Sequence, residues 1–129
     1  MKTKDIGNIG ENAAVRFLKR NRYKIIARNV HISHNELDIV AICKKTKTVA
    51  FIEVKARSVD DDLYSRFGSP ASAVTKQKKT RTIDAARAFL HENKKIRDLQ
   101  PRIDVIEVYL AKENLKILKI NHIENAFGV

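Results

Sequence analysis

Proline and glycine are scarce in this chain of 129 residues, at two and four, tryptophan is absent, and there is one cysteine. A lone Cys43 excludes an internal disulfide and any cysteine-rich zinc site, so a reducing, cytoplasmic compartment is expected. No apolar run approaches the roughly 20 residues of a membrane-spanning helix, so no membrane partner is expected. The opening Met1-Lys2-Thr3-Lys4-Asp5 is polar where a secretory signal would turn apolar. Aromatic residues, at 6%, are too few for a base-stacking platform of the single-strand-binding kind. With no repeat, no low-complexity tract and no Gly/Pro/Ser-rich linker, nothing divides the chain, and residues 1–129 read as a single domain. Acidic residues are also in deficit, 15 against 26 Lys plus Arg, leaving a net charge of +11. So large an excess on so small a body attracts polyanions, of which nucleic acid is the commonest in cytoplasm. A ribosome-associated protein would share that charge, so composition proposes the partner and leaves the chemistry open.

The spacing of Ile9, Ala13, Ala14, Phe17 and Leu18 predicts a helix from about Asn8 to Asn21, with Glu11 in its first turn, where the dipole favours a carboxylate. Extended segments follow at 23–29, 36–42 and 49–55. The last two are apolar on both faces near their shared turn, as in central strands covered on both sides. The polar connector from Cys43 to Thr48 suits a hairpin, with Cys43 as a small turn residue. Residues 56–69 lack a period and read as a mobile loop. Ser69-Pro70 reads as a helix start, followed by a single turn and a longer helix capped by Thr75 and running to Asn93. Pro101 precedes a buried strand, 102–111, and 115–120 forms the last. The order α-β-β-β-α-β-β predicts an α/β fold: a central mixed sheet containing an antiparallel hairpin, flanked by helices.

Chemistry enters through the hairpin. Facing residues in a hairpin have position numbers with a constant sum, here 91 for a turn centred on the connector. Asp38 then faces Glu53 and Glu36 faces Lys55, all four on one side of the sheet. A slip of two residues would keep the face and lose the pairing. Facing Cβ atoms lie about 4.5–5.5 Å apart, where like charges repel, and burying two carboxylates together is costly without compensation. A divalent cation compensates: Asp38 and Glu53 form a hard, oxygen-rich half-site for Mg²⁺ or Mn²⁺, which water and phosphate would complete. Such an ion acidifies a bound water and neutralises charge on phosphorus, while Lys55 reaches the same place as an ammonium. Three charges on one face of otherwise apolar strands have no ready structural explanation. Glu11, as an acid of a helix's first turn, needs no function. His31, His34, His91 and His122 share no metal-ligand spacing.

Asp38, followed by Glu53-Val54-Lys55, resembles the PD-(D/E)xK nuclease superfamily. The longer series is more specific: Gly7-Asn8-Ile9-Gly10-Glu11-Asn12-Ala13-Ala14, Arg28-Asn29, Asn35-Glu36-Leu37-Asp38, Phe51-Ile52-Glu53-Val54-Lys55-Ala56-Arg57, Phe67-Gly68, Ala73-Val74-Thr75-Lys76 and Asn125-Ala126-Phe127. Over nearly its whole length the chain closely resembles the YraN family of small endonuclease-like proteins, related in fold to archaeal Holliday-junction resolvases. The resemblance implies a restriction-endonuclease-like fold, Asp38 and Glu53 as metal ligands with the Val54 carbonyl a third, and Lys55 positioning or activating water. It also implies Glu11 as a further acid from the first helix, and it retains Glu36 as an additional one. Two departures stand out. Asn35 replaces the glycine that opens the family's Gly-Glu-Ile-Asp, and asparagine tolerates the positive φ such a turn needs. Gln77 is followed four residues on by Arg81 where related nucleases carry tyrosine.

Lys76, Gln77, Lys78 and Lys79 gather at a predicted helix N-terminus, which favours anions, and Arg57 and Arg66 flank the loop beside the catalytic strand end. They read as phosphate contacts that hold a backbone without reading bases. Tyr64 and Phe67 are candidates to wedge against bases. The expected function is metal-dependent cleavage of DNA, on branched or single-stranded structures. The alternative is a DNA-binding adaptor in repair, uptake or recombination that keeps the fold without turnover. Pairing into a homodimer, as resolvase relatives do, is compatible with the sequence and not demanded by it.

Overall fold

The computed structural model describes residues 3–59 and 76–127. Helix α1 (Thr3–Arg20) is followed by β1 (Lys24–Ile32), β2 (Asn35–Cys43) and β3 (Thr48–Val59). Then come α2 (Lys76–Glu92), a 3₁₀ turn (Lys94–Ile96), β4 (Gln100–Ala111) and β5 (Ile117–Phe127). The order is the one the hydrophobic pattern predicts. The five strands form one sheet in the order β1-β2-β3-β4-β5. Neighbours are antiparallel except β3 and β4, which run parallel because α2 lies in the connection between them.

Among the described residues, each face of the sheet carries one helix. Ala13, Ala14 and Leu18 of α1 pack on Ile39, Ala41, Ala50, Ile52, Ile106 and Val108. Ala85, Ala86 and Phe89 of α2 pack on Val40, Val49, Phe51 and Ile103. Strands covered twice must be apolar on both faces, which is why β2, β3 and β4 read as near-continuous apolar runs. At Gly10 the helix lies almost flush on β3: a Cβ there would stand 2.4 Å from Cβ of Ala56. The helix ends in a Schellman motif, with Arg22 left-handed at φ 67° and Tyr23 N–H reaching back to the Leu18 carbonyl at 2.9 Å.

Several boundaries differ from the sequence reading. Helix α1 begins at Thr3, so Glu11 lies in mid-helix; Asp5 is the first-turn acid, and the dipole does not explain Glu11. Strand β3 continues through Val59, paired along its length with β4, so residues 56–59 are strand where a loop was expected. Parallel pairing with a distant segment stabilises that extension, and the local sequence carries no sign of it. Positive φ falls on Ser33 (50°) and His34 (63°), the two residues of the β1–β2 turn, and not on Asn35. Strand β5 runs on to Phe127. The Ser69-Pro70 start, the Thr75 cap, Arg66, Tyr64 and Phe67 lie outside the described residues.

Candidate active site

The hairpin arithmetic holds as far as the paired ladder runs, and the expected Asp38–Glu53 and Glu36–Lys55 pairs lie beyond it. Pairs from Cys43–Thr48 to Ile39–Ile52 all sum to 91, and the ladder stops one step before Asp38 and Glu53. Strand β2 changes face there, so the four charges do not share one side as expected: Asp38 lines the cleft on the α1 side, whereas Glu53 turns to Lys78 of α2. Leu37 packs with Val40 on the α2 side, whereas Ile39 packs with Ala41 on the α1 side, so alternation breaks between Leu37 and Ile39. On β1, Asn29 lies between the paired Arg28–Ile39 and Val30–Leu37 and has a left-handed φ of 50°. This irregularity opens a cleft of about 420 Å³ beside the N-terminal half of α1. Glu11, Glu36, Asp38 and Lys55 line it, with Gly7, Asn8, Asn29, Val54 and Ala56.

Asp38 is half-buried, and its Oδ2 accepts the Val54 N–H at 2.8 Å. Burial foremost, then the charge of Glu53 and more weakly those of Glu11 and Glu36, pushes its carboxyl up to about 7 against that hydrogen bond. Glu53 is 6% exposed, and its Oε1 lies 3.5 Å from Lys55 Nζ and 3.3 Å from Lys78 Nζ of α2. Glu11 reaches from α1 to Arg28 Nε and Asn29 Nδ2, each at 3.1 Å, while Arg28 also donates to Asn12 Oδ1 at 2.8 Å. Mid-helix placement above β1 makes Glu11 a member of the cleft. Glu36 is exposed at the cleft's edge; Lys55 pairs with Glu53 rather than with Glu36. Among the described residues, no three His, Cys, Asp or Glu side chains already form a metal-ligand set. Lysines engage Glu53, and Arg28 with Asn29 engages Glu11.

Of the expected phosphate contacts, Lys76, Gln77 and Lys79 are exposed on the first described turn of α2, and Lys79 lies 5.8 Å over the Phe127 ring. Lys78 turns inward to Glu53, and Arg57 is half-buried on β3.

Two polar groups of β4 escaped the sequence reading. Glu107, 2% exposed, stands beside Lys55 in the parallel register and accepts from Asn121 Nδ2 at 3.0 Å. Asp104, fully buried, accepts two Arg102 nitrogens at 2.8 Å each, the Asn125 N–H at 2.9 Å, and lies 2.6 Å from His122 Nε2. Burial would raise the Asp104 carboxyl, but His122, Arg102 and the Asn125 N–H outweigh it and hold it below the ordinary range. Arg102 also donates to Tyr23 Oη at 2.6 Å, and His122 packs edge-on against Phe17 and Tyr23. The signal was legible: two acids in an otherwise apolar central strand, the same oddity that singled out Asp38 and Glu53.

These features define a class: a small mixed α/β domain whose irregular central strands hold buried acids in a cleft, within a strongly cationic body. The chain belongs to the uncharacterised protein family UPF0102, the YraN family, whose model matches residues 10–108. It is 36% identical over 124 residues to UPF0102 protein TTE1452 of Caldanaerobacter subterraneus subsp. tengcongensis, covering 96% of this chain and 95% of that protein. It is 38% identical over 127 residues to a UPF0102 protein of Caldicellulosiruptor saccharolyticus, covering 98% and 100%. A UPF0102 protein of Clostridium perfringens is 39% identical over 126 residues, covering 98% and 96%.

Proposed function

We propose that the protein is a Mg²⁺- or Mn²⁺-dependent endonuclease of the PD-(D/E)xK kind, hydrolysing phosphodiester bonds in DNA within the cytoplasm, on branched or single-stranded structures. The observation that carries this reading is the meeting of Asp38, Glu53 and Lys55 where the β2–β3 ladder opens, in a protein of net charge +11. A hard divalent cation fits the donor set. No described donor reaches the Asp38 Oδ1, and burial with the charges of Glu53, Glu11 and Glu36 pushes its carboxyl above the ordinary range. Asp38 and Glu53 would hold the ion, with the Val54 carbonyl, leaving the remaining positions to water and phosphate as Mg²⁺ prefers. When bound, the ion supplies an acidified water and neutralisation of charge developing on phosphorus.

The chain's own residues do the rest. The Val54 N–H fixes the Asp38 carboxylate. Lys55, tethered to Glu53, presents an ammonium to the attacking water or the phosphate. Glu11, braced by Arg28 and Asn29, adds negative charge on the α1 side, with Glu36 as an additional acid at the edge. The exposed Lys76, Gln77 and Lys79 face the nucleic-acid backbone as phosphate contacts, while Lys78 reaches inward to Glu53 and Arg57 is half-buried on β3. Incubation with branched, single-stranded and duplex DNA in Mg²⁺ or Mn²⁺ tests the reading. Cleavage is expected, with at least a ~10²-fold loss in Asp38→Asn and Glu53→Gln. Cleavage that survives either substitution belongs to a contaminant and removes the proposal.

One observation favours the second reading, a DNA-binding adaptor without turnover: Glu53 is already matched by Lys55 and Lys78. Calorimetry separates the two, because no affinity for Mn²⁺ with DNA binding intact identifies the adaptor.

A further inference from the structure

Across Glu36 from the acidic cleft lies a second, smaller pocket of about 240 Å³, also lined by His31, His34, Asn35, Lys78, Arg81 and Thr82. Two elements build it. The β1–β2 turn brings His34, with His31 standing opposite Glu36 in the strand register. Helix α2 brings Lys78 and Arg81, three residues apart and so on one face. Thr82 is spent on the Lys78 carbonyl at 3.0 Å and seals the floor. The Asn35 amide donates to the Ser33 carbonyl at 3.0 Å, the remaining donors are imidazoles and cations, and the single acid on the wall is Glu36.

We infer that this pocket is a subsite for a backbone phosphate of DNA flanking the scissile one, with Arg81 as its principal cation and His31 and His34 as hydrogen-bonding walls. The inference rests on the nuclease reading for the identity of the ligand and deepens it. Three features support it. The volume suits a phosphate and part of a sugar. Arg81 is exposed, and its guanidinium matches phosphate as a two-pronged donor. Lys78 lines this pocket while its ammonium sits 3.3 Å from Glu53, so one side chain spans the phosphate subsite and the acidic cleft. The Glu36 carboxylate between the two repels a phosphate lying directly over it, which sets the phosphates to either side.

The spacing that discounted the histidines as metal ligands is unaffected, because hydrogen bonding to phosphate makes no demand on it. Arg81, standing where related nucleases carry tyrosine, gains a role of its own.

The test is binding of a fluorescent DNA oligonucleotide to the full chain in EDTA, by anisotropy over a range of salt concentrations. Arg81→Ala is expected to weaken binding about five- to tenfold near 0.1 M salt and to lower the slope of log K against log[salt] by about 0.7–0.9. The double variant His31→Ala/His34→Gly is expected to weaken it several-fold, glycine being chosen because position 34 is left-handed. Lys44→Ala/Lys45→Ala, in the turn at the opposite end of β2 and β3, should leave affinity within about twofold, its lost charge acting only at a distance. An unchanged slope in Arg81→Ala, or an equal loss in the Lys44/Lys45 control, overturns the subsite. Tighter binding of an RNA of the same sequence overturns its assignment to DNA. Because the assay contains no divalent ion, absence of cleavage in the separate Mn²⁺ experiment sinks the nuclease reading while leaving the phosphate subsite to be decided by the slopes.

Discussion

The half-buried Asp38 makes stability itself a probe of the cleft. Its carboxyl has an ordinary value of 3.8 and lies at about 7 in the folded protein. The native state therefore holds this proton more tightly than the unfolded chain, and raising the pH through that interval takes stability away. At about 1.4 kcal/mol per factor of ten in proton affinity, the full interval is worth about 4 kcal/mol, of which roughly 2–3 kcal/mol falls between about pH 5 and pH 7. Urea unfolding at half-unit steps of pH reads this directly. Other groups titrate as well, so the quantity to follow is the difference between the wild type and Asp38→Asn, whose amide is neutral throughout and still accepts the Val54 N–H. That difference should widen steadily in favour of the variant from about pH 4 and level off above pH 7. Mn²⁺ at pH 8 should restore stability to the wild type and do nothing for the variant, since an ion replaces the missing positive charge. Parallel stability curves for the two proteins across this range would refute the reasoning, because Asp38 would then be an ordinary solvated acid with no charge problem to solve.

Two further substitutions test the frame that positions the site. Gly10→Ala brings a Cβ to 2.4 Å from Ala56, more than 1 Å inside ordinary contact at about 3.5–4.0 Å. Overpacking of about 1–3 kcal/mol against a helix-propensity gain of up to about 1 predicts a net loss of about 1–2 kcal/mol in urea unfolding. A stabilised variant would show that α1 is free to lift off β3. Asp104→Ala leaves the Arg102 guanidinium, His122 and the Asn125 N–H without their shared acceptor. A loss of about 3–5 kcal/mol is expected by the same measurement, and one under about 1 kcal/mol would mean that water replaces the carboxylate.

Much of the molecule is legible in one dimension. The 3.6-residue recurrence in α1, the doubly apolar strands and the polar connector give the element order. The length of that connector gives the β2–β3 register to the residue, because side-chain alternation leaves no half-steps. From that register Asp38 and Glu53 converge on one strand end. Other parts depended on segments far apart in the chain. The extension of β3 to Val59 is created by parallel pairing with β4, some fifty residues downstream. Glu11 looks like a helix-end acid until α1 is seen to start earlier and to press Gly10 on Ala56. Lys78 and Arg81 meet His31 and His34 only because α2 crosses the sheet face beneath the β1–β2 turn.

The sequence by itself determined which residues alternate, which recur by turns of a helix, and therefore which acids share a strand end. Those are periodicities of a local backbone. The tertiary structure alone decided which cations reach those acids and which face β2 presents at Asp38, because charge pairing and packing depend on distances between elements that no local period encodes.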